Sequence, residues 1–176
     1  MNKKGFTLIE ILAVLIIMGV ILLIAVPSIS RYITQSKTST YVTDAKRFVE
    51  AGRNLVETGQ LKLISKDTTY YIPRTCLPVE KGQESPFGSW KALYVVVTYD
   101  GDEHNYYFTA TDSTNHGIKI VYSDNLSDSK VELGIKNVDT SIAVGPRGTI
   151  KVLNEENCNT SSATSVNPTV HHTEKE

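Results

Sequence analysis

Glu10 is the one charged residue in the apolar stretch of residues 6–26. An ionised carboxylate costs about 2.5 to 3.5 kcal/mol at the centre of a membrane-spanning helix, and less near an end. Thr7 and Glu10 have the S/T-x-x-E spacing of a capping box, in which both side chains bind free backbone N–H groups. A carboxylate in the first turn is also stabilised by the helix dipole. The residues also allow a Glu10 that is protonated in lipid, but on their own they favour the cap.

Two cysteines are the other residues with distinctive chemistry. Cys76 and Cys158 fit either one disulfide in an oxidising compartment or two separate thiols. A bridge between them would contribute about 4 to 5 kcal/mol on the chain-entropy account. The sequence has no GxSxG, HExxH, CxxC or phosphate-loop spacing, and its four histidines are scattered or in the tail. We therefore expect no enzyme, no metal site and no cofactor.

The length of the chain limits the number of domains, and its net charge limits the kinds of partner. The chain has 176 residues and a formal net charge of −1. The residues that follow the N-terminal apolar run are enough for one domain of ordinary size with a hydrophobic core. The near-zero charge gives no reason to expect nucleic acid as a partner.

The apolar run is long enough to cross a membrane. Residues 6–26 would span about 31 Å as a helix, which matches a hydrocarbon core of about 30 Å. Lys3 and Lys4 precede the run and favour a cytoplasmic N-terminus. A cleaved secretory signal has the same order, but the run is too long and ends without an Ala-x-Ala site. Both an N-terminal anchor and a cleaved signal stay open on the residues alone.

The helix is expected to continue beyond the apolar run. Pro27 removes one backbone N–H, and Gly19 is a second weak point, so we expect a kink or loosening between them. Residues 29–58 then show amphipathic helical spacing, and Gly59 is a natural stop. Three charge pairs are expected on the exposed face: Asp44 with Arg47, Lys46 with Glu50, and Arg53 with Glu57. The basic residues Arg31, Lys37, Lys46 and Arg47 are expected to form an ordinary solvated face.

The C-terminal part has the pattern of a β-sheet. Residues 59–91 are punctuated by Pro and Gly and are expected to be an irregular connection. Within residues 92–156, apolar or aromatic side chains recur at every second position of short runs, which predicts strands near 92–99, 105–111, 118–122, 131–135 and 149–153. Residues 157–176 are polar and are expected to be disordered or weakly held. The expected fold is α+β, with one long helix, membrane anchor plus amphipathic spine, packed against an antiparallel sheet.

The N-terminal residues KGFTLIEILAVLIIMGV resemble the start of type IV prepilins, with a five-residue leader and terminal Phe like those of the type IVa subclass. The close match covers about the first 30 residues. The resemblance implies that residues 1–5 are a leader that prepilin peptidase removes between Gly5 and Phe6, and that Phe6 is then methylated. It also implies that Glu10 of one subunit attracts the new amine of Phe6 on a neighbour, while the four-residue spacing also allows this pair within a single chain. Residues 6–28 would then be both the membrane anchor of the precursor and the core helix of a filament.

The same resemblance implies the function and the partners. It implies a structural subunit of an extracellular type IV pilus, of the kind used in adhesion, surface motility and aggregation. The implied partners are other pilin subunits, prepilin peptidase, the pilus assembly ATPase and its inner-membrane platform. The alternative is a pseudopilin or minor pilin of a secretion or DNA-uptake machine. Cys76 lies well before the C-terminal region that pilin disulfides usually pin, and this departure favours a Gram-positive pilin.

Overall fold

A computed structural model describes residues 5–63, 68–80, 82, 84–142 and 148–166. Within it the chain divides into two compact units, Met1–Lys37 and Thr38–Glu176. Most of the predicted leader and residues 167–176 of the predicted tail lie outside the described residues.

One helix, α1, extends over Leu8–Glu57. It begins directly after Thr7 and continues through both Gly19 and Pro27. It ends two residues before Gly59, whose φ of +72° is a conformation that favours glycine. The Leu61 amide donates to the Leu55 carbonyl over this end, which satisfies one of the terminal carbonyl groups.

A seven-stranded sheet follows, in the spatial order β5-β4-β3-β2-β1-β6-β7. Its strands are β1 (Thr68–Pro73), β2 (Trp90–Tyr99), β3 (His104–Asp112), β4 (His116–Tyr122), β5 (Glu132–Leu133), β6 (Thr149–Val152) and β7 (Thr164–Val166). Neighbouring strands are antiparallel except β1 and β6, which are parallel. Short 3-10 turns lie at Arg74–Cys76, Ser123–Asn125 and Asp128–Lys130.

The α+β class and the helix-on-sheet architecture are confirmed, and three details are corrected. The expected irregular connection, residues 59–91, contains β1, which is central in the sheet and buried at every position. The polar tail, predicted from residue 157, contributes β7 as an edge strand paired with β6. The sheet is mixed rather than purely antiparallel, because β6 lies beside β1 and runs parallel to it.

The sheet has a buried side chain layer on each face. On one face, the core joins α1 to the sheet through residues that include Tyr41, Ala45, Phe48, Val49, Tyr70, Ile72, Val95, Val97 and Phe108. On the other face, a smaller cluster contains Tyr71, Val96, Tyr107 and Ile150. The connection from β5 to β6 reaches this second face, where the Tyr71 hydroxyl donates to the Ile142 carbonyl at 2.7 Å. Alternate residues of the central strands therefore serve two different cores.

Gly52 lies where α1 packs closely against Val95 of β2. A Cβ at this position would lie 2.8 Å from Cγ1 of Val95, whose side chain is fully buried. We expect Gly52→Ala to lower the free energy of unfolding by about 1 to 2 kcal/mol, because overpacking outweighs the better helix propensity of Ala. Urea unfolding of the full chain in detergent micelles measures it. In a Val95→Ala background the same change should cost less, and an equal cost in both backgrounds would contradict the contact.

The raised pKa of the buried Tyr106 hydroxyl predicts that the protein loses stability at alkaline pH. Burial raises the pKa of Tyr106 to about 12, with Glu57 adding to the shift and Arg53 opposing it. Burial also raises the pKa of Tyr41 and Tyr71. Because an unfolded tyrosine titrates near pH 10, the folded chain holds protons that the unfolded chain releases. Stability should therefore be complete below about pH 10 and fall as the pH rises toward 12.

Tyr106→Phe tests this alkaline effect. The Tyr106 hydroxyl is buried and has no hydrogen-bond partner among the described residues, so its removal should change stability at pH 7 by less than about 1 kcal/mol. The variant should lose stability less steeply between about pH 10 and 12 than the wild type. Urea midpoints across this range, followed by circular dichroism, give the slopes. Identical slopes for the two proteins would show that Tyr106 does not contribute.

Candidate assembly site

The first part of α1 presents an apolar surface that no other described residue covers. Large apolar side chains from Phe6 to Ile33 are mostly half or more exposed, and Phe6 itself is 85% exposed. By length and composition, this helix is long and apolar enough to cross a membrane. Each Å² of such surface removed from water contributes about 25 cal/mol. The segment is thus suited to lipid or to other copies of itself.

Glu10 forms a reciprocal cap with Thr7 at the start of α1. The Thr7 backbone N–H and the Thr7 hydroxyl each donate to Oε2 of Glu10 at 2.8 Å. The Glu10 backbone N–H donates to the Thr7 hydroxyl oxygen at 3.4 Å. This is the capping box predicted from the spacing, and it satisfies two otherwise free N–H groups within one chain. Both side chains remain exposed.

Gly5 and Phe6 lie immediately before the cap. Both are exposed, and a Cβ on Gly5 would meet no atom within 4 Å. In the uncleaved chain the nitrogen of Phe6 is an uncharged peptide nitrogen, so it offers Glu10 no cation. Cleavage after Gly5 would convert this nitrogen to an amine, one residue before the Thr7 that caps Glu10. The electrostatics of the site therefore depend on whether the leader is present.

Gly19 and Pro27 lie within α1. A Cβ on Gly19 would contact nothing within 4 Å, so the glycine is not required by packing in a single chain. Pro27 has no N–H to donate to the preceding turn. Two hydroxyls nearby bind carbonyls of the same helix: Ser28 donates to Ile24 at 3.4 Å and Ser30 to Val26 at 3.1 Å. The helix is continuous through Gly19 and Pro27, and the loosening of the helix between them stays a prediction.

Cys76 and Cys158 form a disulfide, with their Cα atoms 5.4 Å apart. Cys76 is the last residue of the turn after β1, and Cys158 lies between β6 and β7. The bond therefore joins the ends of two adjacent parallel strands. It closes a loop with a sequence separation of 82 that contains β2 to β6. Of the two states that the sequence leaves open, the structure has the bridged one.

The charges of α1 pair differently from the expectation in two of three cases. Asp44 and Arg47 pair as predicted, at 2.7 Å, with the Asp44 side chain buried. Arg53 pairs with Glu50 at 3.5 Å instead of with Glu57, and its guanidinium lies 4.9 Å from the centre of the Tyr106 ring. The predicted pair of Lys46 with Glu50 does not form. The Lys46 side chain makes no ion pair or hydrogen bond with any described residue.

Asp112 is a buried carboxylate whose hydrogen bonds hold neighbouring loop residues in place. It accepts hydrogen bonds from the Ser85 hydroxyl at 2.7 Å, from Thr114 at 2.9 and 2.7 Å, and from the His116 backbone N–H at 3.0 Å. Ser85 donates to the carboxylate rather than to a histidine, so these residues lack the order of a nucleophilic triad. Within the described part of the chain, no group of three or more His, Cys, Asp or Glu could hold a metal ion.

Comparison with known proteins identifies the N-terminal segment. Residues 1–26 match the family described as "Prokaryotic N-terminal methylation motif". The chain is 29% identical over 131 residues to the "Type IV major fimbrial protein FimA" of Dichelobacter nodosus, and this match covers 74% of the chain and 70% of that relative. No solved structure matches significantly. The methylation motif includes Gly5, Phe6 and Glu10 and ends within the exposed apolar part of α1.

Proposed function

We propose that this chain is a member of the type IV pilin family and a structural subunit of an extracellular type IV pilus, because its N-terminus matches the methylation motif and the chain is similar to a type IV fimbrial protein. The observation that carries this proposal is the methylation motif at the start of a helix whose apolar side chains are exposed over Phe6–Ile33. The membrane would cover this surface in the precursor, and neighbouring helices would cover it in the filament. The family is structural, which agrees with the expectation that the protein is not an enzyme.

The proposed processing begins at the leader. We propose that prepilin peptidase cleaves between Gly5 and Phe6 on the cytoplasmic side and that the amine of Phe6 is then methylated. The assembly ATPase and its membrane platform would move the subunit out of the membrane into the filament. The proposed locations are therefore the cell membrane for the precursor and the cell surface for the pilus. A Gram-positive origin stays a prediction.

Glu10 has a second proposed partner in the filament. The amine created on Phe6 of one subunit is attracted to Glu10 of the next, in a medium of low dielectric constant. The cap with Thr7 leaves room for this pair, because a carboxylate has about four lone-pair sites and Thr7 occupies two of them at one oxygen. The pair would fix the axial register of neighbouring helices. In this proposal, Gly19 and Pro27 mark where those helices can loosen when the filament bends or stretches.

Mass spectrometry of the extracellular protein tests the proposed function. Filaments sheared from cells should contain a chain that starts at a methylated Phe6 and lacks residues 1–5. A chain starting near Ser28 would mean ordinary secretion and would overturn the proposal. A methylated Phe6 on a protein that stays in the membrane and forms no filaments would instead favour a pseudopilin of a secretion or DNA-uptake machine.

A further inference from the structure

A groove lies between α1 and the turn after β4. It has a volume of about 560 Å³, and its walls include Lys46, Arg47, Glu50 and Arg53 from the helix and Asp124 and Leu126 from the turn. All of these residues belong to the unit Thr38–Glu176. The helix side of the groove carries three cations and one acid, and of these Lys46, Glu50 and Arg53 lie along one side of α1. This groove is called the cationic groove below.

The cations of the cationic groove are not equally available. Arg47 is held by Asp44 at 2.7 Å, and Arg53 is held by Glu50 at 3.5 Å and by the Tyr106 ring. Lys46 is exposed, and in the part of the chain that the structure describes it has neither a carboxylate nor a hydrogen-bond acceptor. An ammonium group has three donors. Lys46 is thus the cation of the groove that has no carboxylate partner among the described residues, whereas each of the two arginines has one.

The turn between β2 and β3 carries the opposite charge and is fixed in place. Oδ1 of Asp100 accepts the backbone N–H groups of Asp102 and Glu103, both at 3.0 Å. The Tyr99 hydroxyl donates to the Gly101 carbonyl at 2.6 Å. These bonds leave the side chains of Asp102 and Glu103 exposed, and neither carboxylate has a partner among the described residues. This segment, residues 99–103, is called the acidic turn.

We propose that the acidic turn of one subunit docks in the cationic groove of a neighbouring copy, with Lys46 paired to Asp102 and Glu103. Each head carries one groove and one turn, and the two are different surfaces, so the contact is heterologous. Heterologous contacts that do not close into a ring generate open helical filaments. The fixed backbone of the acidic turn lowers the entropy lost on docking. This inference rests on the proposed function, because the neighbouring copy is the next subunit of the filament.

Charge reversal tests the proposed contact in cells that assemble the wild-type chain. Lys46→Glu alone, and Asp102→Lys together with Glu103→Lys, should each lower the yield of sheared filaments roughly tenfold, because attraction becomes repulsion at every contact. The variant with all three changes should recover most of the wild-type yield, since the pairs reform with reversed signs. Yields are expressed relative to the precursor in the membrane, which reports folding and insertion.

Matched variants separate this contact from a general charge effect. Lys130→Glu reverses an exposed lysine outside the groove, and Glu155→Lys with Glu156→Lys reverses an adjacent pair of exposed acids elsewhere. Neither control should change the yield. Single reversals without effect, or a combined variant no better than the worse single one, would overturn the groove contact while wild-type filaments still support the proposed function. Absence of wild-type filaments would overturn both.

Discussion

Glu10→Gln is expected to lower the yield of surface filaments by at least about two orders of magnitude. Removing one partner of a buried ion pair costs about 3 to 5 kcal/mol, and each 1.4 kcal/mol is a tenfold change in an equilibrium. The precursor should still accumulate in the membrane, because the neutral amide can accept the Thr7 backbone N–H that Glu10 now binds at 2.8 Å. The measurement is the ratio of sheared filament protein to membrane-held precursor.

Thr7→Val is the matched control for the cap. It removes the hydroxyl that bonds Glu10 in both directions but keeps the shape of the side chain and the charge of Glu10. Loss of such a cap costs about 1 kcal/mol, so filaments should persist in this variant. If capping were the whole role of Glu10, Thr7→Val would be the more damaging change. Normal filaments from Glu10→Gln would refute the intersubunit pair.

Replacing both cysteines with Ala is expected to cause the largest loss of stability in the head. With a sequence separation of 82 between Cys76 and Cys158, the chain-entropy account gives a loss of about 4 to 5 kcal/mol. For a domain of this size that corresponds to a fall in Tm of roughly 10 to 15 °C. Thermal unfolding of the full chain in detergent micelles, followed by circular dichroism, measures the difference.

Reduction provides the control for the cysteine variant. The wild-type chain treated with a thiol reductant should unfold at about the same temperature as the double Ala variant. The reductant should leave the unfolding temperature of the variant unchanged. An unchanged Tm for the double variant without reductant would show that the bridge between Cys76 and Cys158 does not stabilise the head.

Local patterns predicted the elements whose side chains repeat regularly. The helical spacing of Ala45, Phe48 and Val49 predicted the buried side of α1, and all three are in the core. Alternation predicted β2 and β3 to within a residue or two of their observed ends. The Thr7 and Glu10 spacing predicted the capping box. In each case the decisive information lies within a few neighbouring residues.

The missed elements depend on residues far along the chain. β1 is buried on both faces, so Thr68–Pro73 shows no alternation, although Tyr70, Tyr71 and Ile72 are residues typical of strands. β7 is short and polar, and it is a strand only because β6 lies beside it. The unpaired state of Lys46 was equally hidden, because Glu50 has a second cation, Arg53, within reach. Packing decides which of two cations pairs with a given carboxylate. A rule based only on residue spacing carries no information about packing.

The parallel pairing of β1 with β6 affects whether neighbouring subunits can exchange strands. Without β6, the backbone N–H and C=O groups along one side of β1 would be open to any strand of another chain. Such exchange of identical strands is favoured where copies are held at high local concentration. The disulfide holds the two strand ends together after β1 and after β6, and thereby closes that side of β1. The disulfide is therefore expected to protect each head against strand exchange with neighbouring subunits.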